Sequence, residues 1–389
     1  MCCGVGDYTL GLALALREQG HEVAVLTCLA GGPRPAGIRV IEIPLAGWKD
    51  LRLVLRAIER ERAELVQIEY SGYGWSRFGF SFWLNGLATA LRWRRIPVKI
   101  GLHETYLNFL QHPLQIPVSL IQRLHVWALI TTASEVYVNM PERLRRLRRI
   151  LPWCRSKIHY RPNSSTIPVA PLDAEARNQL RAKRGAAPGD CVVVNFGLFQ
   201  KAKNLEAVIE AVARARTARP LRLWLLGDPG GAAPDYIASL RERARSLQIE
   251  ERVFWSGYLS PAEVSRHLQA ADVFVLPQPD GHVTRSSTFM AAAAHGMPVI
   301  AVRNLKNQDE FENGKNLLLA EKCSASELAA LLETLAGDPA LAAALGKNLL
   351  RIYQERFDWA ATVKAAHEKR ELTAPAIEAA GVTQPARKT

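Results

Sequence analysis

The stretch from Val273 to Val302, VFVLPQPDGHVTRSSTFMAAAAHGMPVIAV, constrains the fold more than any other. It reads as a buried strand (273–276), a polar loop, a small-residue helix starting near 284–287, a turn at Gly296 and a second buried strand (298–302). Two short apolar runs joined by one helix make a βαβ unit, so the two strands run parallel. The loop delivers the chain to a helix N-terminus, where backbone amides lack partners and partial positive charge favours an anion. Arg285, Ser286 and Ser287 stand at that end. A basic fork, two hydroxyls and free amides suit a phosphate or diphosphate. An ordinary capped helix is the plainer alternative.

The same alternation fills the chain. Strands are expected at 21–28, 38–43, 65–70, 98–103, 135–138 and 157–160, then at 191–196, 221–226, 253–255, 273–276, 298–302 and 317–320. Helical segments between most of them imply parallel sheets covered on both faces. A chain of 389 residues exceeds one compact core, so two domains are expected. The fold class is α/β: two Rossmann-like, doubly wound domains facing across a cleft, with ligands at the carboxyl ends of the strands. A composition shift from 162 to 190 sets the boundaries. They are 1–168 for the first domain, 169–190 for a linker and 191–357 for the second domain. A helix at 358–372 returns to the first domain, and 373–389 is a disordered tail. Gly4-Val5-Gly6-Asp7 opens a helix with only three residues ahead of it, where a strand usually precedes such a turn. The first strand is therefore expected to be missing, through a start placed too far downstream or a truncated chain.

A formal charge of +13 favours anionic partners. Nucleic acid is not expected, because no helix-turn-helix, zinc spacing or aromatic RNA-binding motif is present. The six cysteines show no CxxC and no metal-ligand spacing, as in a cytoplasmic protein with reduced thiols. No metal is expected, since no DxD ends a strand. A nicotinamide cofactor is not expected either: Gly4-Val5-Gly6 lacks the third glycine and no acid follows the next strand. No apolar run reaches membrane-spanning length, and the N-terminus lacks a signal-peptide pattern. The segment RLRRLRRILPWCR places Leu144, Leu147 and Leu151 on one helical side, with Arg143, Arg145, Arg146, Arg148 and Arg149 around the rest. It fits an interfacial helix on anionic lipid, or a solvated basic face with its leucines turned inward.

Several segments in order carry a resemblance: GVGDYT with LALALREQGHEVAVLT, then VVNFGLFQKAKNLEAVIEAV, RVFWSGYLSPAEVSRHLQAADVFVLP, AAAAHGMPVIAV and ENGKNLLL. Together they resemble the retaining GT-B glycosyltransferases (group 1, family 4) that include sucrose synthases and phosphatidylinositol mannosyltransferases. The likeness runs from about residue 4 to 361. It implies transfer of a sugar from a nucleotide sugar to a hydroxyl acceptor. That acceptor would be a carbohydrate, a lipid-linked glycan, or a lipopolysaccharide or exopolysaccharide precursor. The enzyme would be cytoplasmic, peripheral on the membrane's inner face, and would need no cofactor beyond its substrate.

By this resemblance Lys203 holds the donor diphosphate, with Arg285, Ser286 and Ser287 as a phosphate cradle. Asp280 binds a donor-sugar hydroxyl, or is the plain turn residue of an Asp-Gly pair. His103 positions the sugar and Glu104 orients the acceptor. Gly197, Gly227, Asp228, Gly257, Tyr258 and Leu259 meet the nucleotide. Gly4, Gly6 and Asp7 form a loop over the phosphates on the acceptor side. Two departures stand out. Leu198 replaces the family's arginine, and Val283 and Ala291 replace its Glu-x7-Glu pair. With the missing first strand they motivate one alternative, a degenerate subunit that binds a nucleotide sugar or partner without turnover; a second, a nucleotide-sugar epimerase of the same fold, is not excluded by the long loop from Asp280 to Ser287.

Overall fold

The computed structural model describes residues 4–28, 31, 37–43, 47–106, 115–227, 234–278, 284–303 and 311–367. Asp228, Asp280 and the tail at 373–389 lie outside them. The described chain divides into two compact units. The first gathers residues within 4–168, 284–294 and 352–367, and the second those within 169–278 and 295–351.

In the first unit, β1 (Ala24–Thr27) pairs with β2 (Arg39–Glu42) as a two-stranded parallel sheet. A second parallel sheet runs β3 (Val66–Tyr70), β4 (Val98–Leu102), β5 (Glu135–Val138) and β6 (Ile158–Tyr160), in that order. The second unit holds one six-stranded parallel sheet of β7 (Cys191–Phe196), β8 (Leu221–Leu226), β9 (Val253–Trp255), β10 (Val273–Leu276), β11 (Val299–Val302) and β12 (Leu318–Ala320). Its order is β12-β11-β10-β7-β8-β9. Runs such as Val192–Val194 and Val273–Leu276 are buried, as strands covered on both faces require. Connections leave β7 in one direction and resume at β10 in the other, so the order reverses between these two strands. The first unit has no described strand equivalent to β7, and none joins β1 to β3.

Six helices of the first unit matter below: α1 (Gly4–Glu18), α2 (Phe82–Trp93), α3 (Ile116–Thr132), α4 (Pro141–Ile150), α5 (Ser287–Ala294) and α6 (Trp359–His367). α1 packs on α6 through Tyr8, Leu12, Ala15 and Val363. Gly11 permits this approach, since a Cβ there would lie 2.4 Å from the Trp359 ring. The Trp359 indole N–H donates to the Ser165 carbonyl at 2.7 Å.

Three sequence expectations change here. Gly4, Gly6 and Asp7 form the first turn of α1 rather than a loop, because the helical pattern continues back to Gly4. α5 groups with the first unit, not with the domain running to 357. Asn163 Nδ2 donates to the Arg285 carbonyl at 2.7 Å, and α5 lies beside the π-helical turn Tyr353–Phe357. Finally, α4 is not an interfacial helix with leucines to spare. Leu147 and Leu151 are buried in the core, with Leu144 and Ile150 packed against it. Arg143 and Arg148 donate to backbone carbonyls. Only Arg145, Arg146 and Arg149 are exposed.

Candidate functional site

The ends of β3 to β6 bring Glu69, His103, Tyr137, Asn139 and Arg161 around a small cavity, which Tyr8 and Asn163 help to line. Glu69 is its electrostatic centre. One carboxylate oxygen accepts from Arg161 Nη2 at 3.0 Å and from the Gln67 amide. The other pairs with His103 Nε2 at 2.8 Å. Burial alone would raise the Glu69 pKa. The Arg161 charge and the bond from His103 outweigh burial and hold it at about 2. The carboxylate is therefore ionised and buried. Gly101 lets it in, because a Cβ there would lie 2.0 Å from Glu69 Oε2.

His103 follows β4 and is fixed on two sides. Glu69 holds Nε2, and the Tyr8 ring meets it edge-on with centroids 4.6 Å apart. Among the described residues no group bonds Nδ1. Arg143 Nη1 secures the backbone here by donating to the carbonyls of Leu102 (3.0 Å) and His103 (2.9 Å) and to Asn139 Oδ1 (3.0 Å). Asn139 bonds Asn163, which bonds the Arg285 backbone. Burial lowers the Arg143 pKa to about 10, with the nearby Arg285 charge the next cause. Two guanidiniums thus repel one another at the carboxyl end of β4. Glu104 is exposed there and accepts from the Ser71 hydroxyl at 2.9 Å.

At the start of α5, Ser286 Oγ accepts from the Phe289 N–H at 3.2 Å and shares a bond with Thr288 Oγ1. Ser286 is thus the helix cap before it is a cradle residue. Ser287 is half-buried. Thr284 Oγ1 is buried with no hydrogen-bond partner among the described residues, a cost that a ligand could remove.

In the second unit, Gly197, Gly227 and Gly257 sit side by side at the ends of β7, β8 and β9. Gly197 (φ +134°) and Gly227 (φ +147°) hold conformations that side chains disfavour. A Cβ on Gly227 would lie 2.0 Å from the Gly197 carbonyl oxygen. Gly227 N donates to Ser256 Oγ and bridges to Gly257. Tyr258 is 62% exposed just beyond, with Leu259 half-buried. Lys203 ends a 3₁₀ turn after β7. It is half-buried, and burial lowers its pKa. Among the described residues no carboxylate pairs with it. Asn204 Nδ2 donates to Cys323 Sγ, which donates to the Pro277 carbonyl, tying this turn to the end of β10. Among the described residues no group of three or more His, Cys, Asp or Glu could hold a metal.

Two family models match the chain: Glycosyltransferase Family 4 over residues 3–164 and Glycosyl transferases group 1 over residues 176–350. The chain belongs to the GT-B glycosyltransferases. This glycosyltransferase is 26% identical over 321 residues to alpha-monoglucosyldiacylglycerol synthase of Streptococcus pneumoniae, covering 77% of this chain and 68% of that one. It is 25% identical to the D-inositol 3-phosphate glycosyltransferase of Kineococcus radiotolerans, across 94% of this chain and 89% of that one. The solved structure of Anabaena HepE in complex with UDP and glucose shares its fold, with a TM-score of 0.68 at 19% identity. That match covers 94% of this chain and 95% of the other. The family makes the protein an enzyme.

The glycosyltransferase's sequence pointed to His103, Glu104 and Arg285 separately. The structure joins His103 to Arg285 through Arg143, Asn139 and Asn163. Glu69, Arg161, Arg143 and Thr284 were missed. Glu69 left one signal: a carboxylate inside the otherwise strand-like VQIEY, where a buried charge needs a partner.

Proposed function

We propose that this glycosyltransferase moves a sugar from a nucleoside-diphosphate sugar to a hydroxyl acceptor with retention of configuration. Lys203 carries the proposal. A cation that loses hydration without gaining a carboxylate among the described residues is held at a cost, and an anionic ligand offsets it. Its place after β7, where the sheet order reverses, is where such folds bind nucleotides. Gly197, Gly227 and Gly257 give the nucleotide close approach to the backbone.

In this reading Lys203 neutralises the leaving diphosphate. The bond from the anomeric carbon to phosphate oxygen breaks, and the bond to the acceptor oxygen forms on the same face. The acceptor proton passes to the departing phosphate. His103 offers Nδ1 to a sugar hydroxyl, oriented by Glu69, and Glu104 orients the acceptor. A lipid-linked or lipopolysaccharide-type acceptor and a cytoplasmic location complete the reading. It needs no metal or cofactor. One relative's name, a diacylglycerol glycosyl synthase, supports the lipid acceptor.

Thermal unfolding with UDP, GDP or ADP tests the donor site. One of them should raise Tm, since a ligand at about 100 times its Kd adds about 2.7 kcal/mol. Lys203→Ala should abolish the shift and transfer together. If no nucleotide stabilises the wild type, or Lys203→Ala keeps both, the proposal fails. An altered nucleotide sugar formed without acceptor would instead identify an epimerase.

A further inference from the structure

The loop between β3 and α2, residues 71–81, carries the aromatic run SGYGWSRFGFS. It leaves the sheet beside His103, whose N–H donates to the Tyr70 carbonyl at 2.9 Å. Hydrogen bonds fix its shape. The Tyr70 hydroxyl donates to the Gly79 carbonyl at 3.0 Å. Ser76 Oγ accepts from the Phe80 N–H (3.2 Å) and donates to the Phe80 carbonyl (2.6 Å). Gln122 Nε2 of α3 donates to the Phe78 carbonyl at 2.8 Å and to the Tyr73 hydroxyl at 3.4 Å. α3 can supply Gln122 because it turns a polar side inward. Ser119, Gln122, Arg123 and His125 are buried, whereas Leu124 is exposed.

Tyr73 and Phe78 nevertheless face water, Tyr73 with 52% of its surface. The Tyr73 ring rests on Gly79 (φ +72°), where a Cβ would lie 3.3 Å from the Tyr73 Cζ. The ring is thus backed by main chain on one side and open on the rest. Its hydroxyl accepts from Gln122, and among the described residues no group accepts its proton. Glu104 stands close by. Ser71 Oγ donates to Glu104 Oε2 at 2.9 Å. Among the described residues Oε1 takes no hydrogen bond, and no Lys or Arg pairs with this carboxylate. Burial raises the Tyr70 pKa, with Glu104 and then Tyr73 as further causes, so the three groups are near neighbours.

We propose that Tyr73 is a specificity-determining residue and that this loop, with Glu104, takes a neutral pyranosyl residue of the acceptor. The proposal rests on the sugar-transfer reading and narrows it: the hydroxyl that receives the sugar belongs to a carbohydrate. A pyranose carries C–H groups on its faces and hydroxyls around its edge. The open Tyr73 ring covers the first. The Glu104 carboxylate, an acceptor only when ionised, takes protons from the second, and the Tyr73 hydroxyl donates one. A ring already fixed by its loop loses little freedom on binding. A phosphate or carboxylate would meet Glu104 as a like charge, and an acyl chain would cover that carboxylate without giving it a donor.

Saturation-transfer NMR with methyl α-glucopyranoside, methyl α-galactopyranoside and methyl α-mannopyranoside tests this without turnover. At least one should take up saturation from the wild type, most at the C–H groups of one ring face. Tyr73→Ala should weaken that binding at least about tenfold, and Tyr73→Phe should keep most of it. Both should keep the wild-type Tm and its rise with nucleotide. In the transfer assay Tyr73→Ala should raise the acceptor KM at least about tenfold and leave the donor KM unchanged. Glu104→Ala should weaken pyranoside binding in the same direction. Failure of all three pyranosides to take up saturation from the wild type overturns the proposal. So does wild-type binding by Tyr73→Ala, or by Glu104→Ala should Tyr73→Ala lose its fold. Either result can stand beside an intact nucleotide shift, so failure here is separate from failure of the sugar-transfer reading.

Discussion

Replacing Glu69 by Gln removes the charge at the centre of the first unit and leaves Arg161 behind. The two side chains are 6% and 5% exposed, so solvent cannot replace the lost carboxylate. Folding lowers the Glu69 pKa from 4.5 to about 2. At roughly 1.4 kcal/mol per pH unit the ionised carboxylate contributes about 3 kcal/mol. A depressed carboxylate pKa gives stability that is present above pH 4.5 and lost as pH falls towards 2. Breaking a buried pair from one side costs about 3–5 kcal/mol, in agreement. Glu69→Gln should therefore lower the urea midpoint at pH 7 by that equivalent at unchanged m, and flatten the acid limb of the stability profile. Glu69→Gln with Arg161→Gln should recover much of the loss, because no charge is left unpaired. A single variant within about 0.5 kcal/mol of wild type would refute the reasoning. So would a double variant no more stable than the single.

Two glycines offer further tests. Gly101→Ala places a methyl 2.0 Å from a Glu69 oxygen already held by His103. It should cost about 1–3 kcal/mol, read by urea unfolding, and lower transfer by displacing His103. Gly227→Ala drives a methyl against the Gly197 carbonyl and strains a φ of +147°. It should weaken nucleotide binding in the thermal assay more than it changes the Tm of the ligand-free protein.

Strand positions were legible because their cause is local. Each of the twelve expected strand segments contains a described strand, since continuous apolar runs broken by turns need no distant partner to be recognised. The capping box at Ser260 and Glu263 has an equally local cause, because its bonds span three residues. The role of Ser286 was less legible. A hydroxyl at a helix start reads equally as a cap or as a phosphate contact, and the structure shows the cap. The α4 leucines showed the same ambiguity: a leucine stripe looks alike whether it faces lipid or a core.

The sequence by itself determined an α/β chain of parallel strands, the ordered motifs of its family, and the residue types at each strand end. Only the tertiary structure decided that Glu69 meets Arg161, 92 positions away, and that His103 is held by that carboxylate. It also decided which side of α3 faces outward. Periodicity fixes which residues share a face. Which face is buried depends on neighbours that arrive from elsewhere in the chain, and no local pattern encodes them.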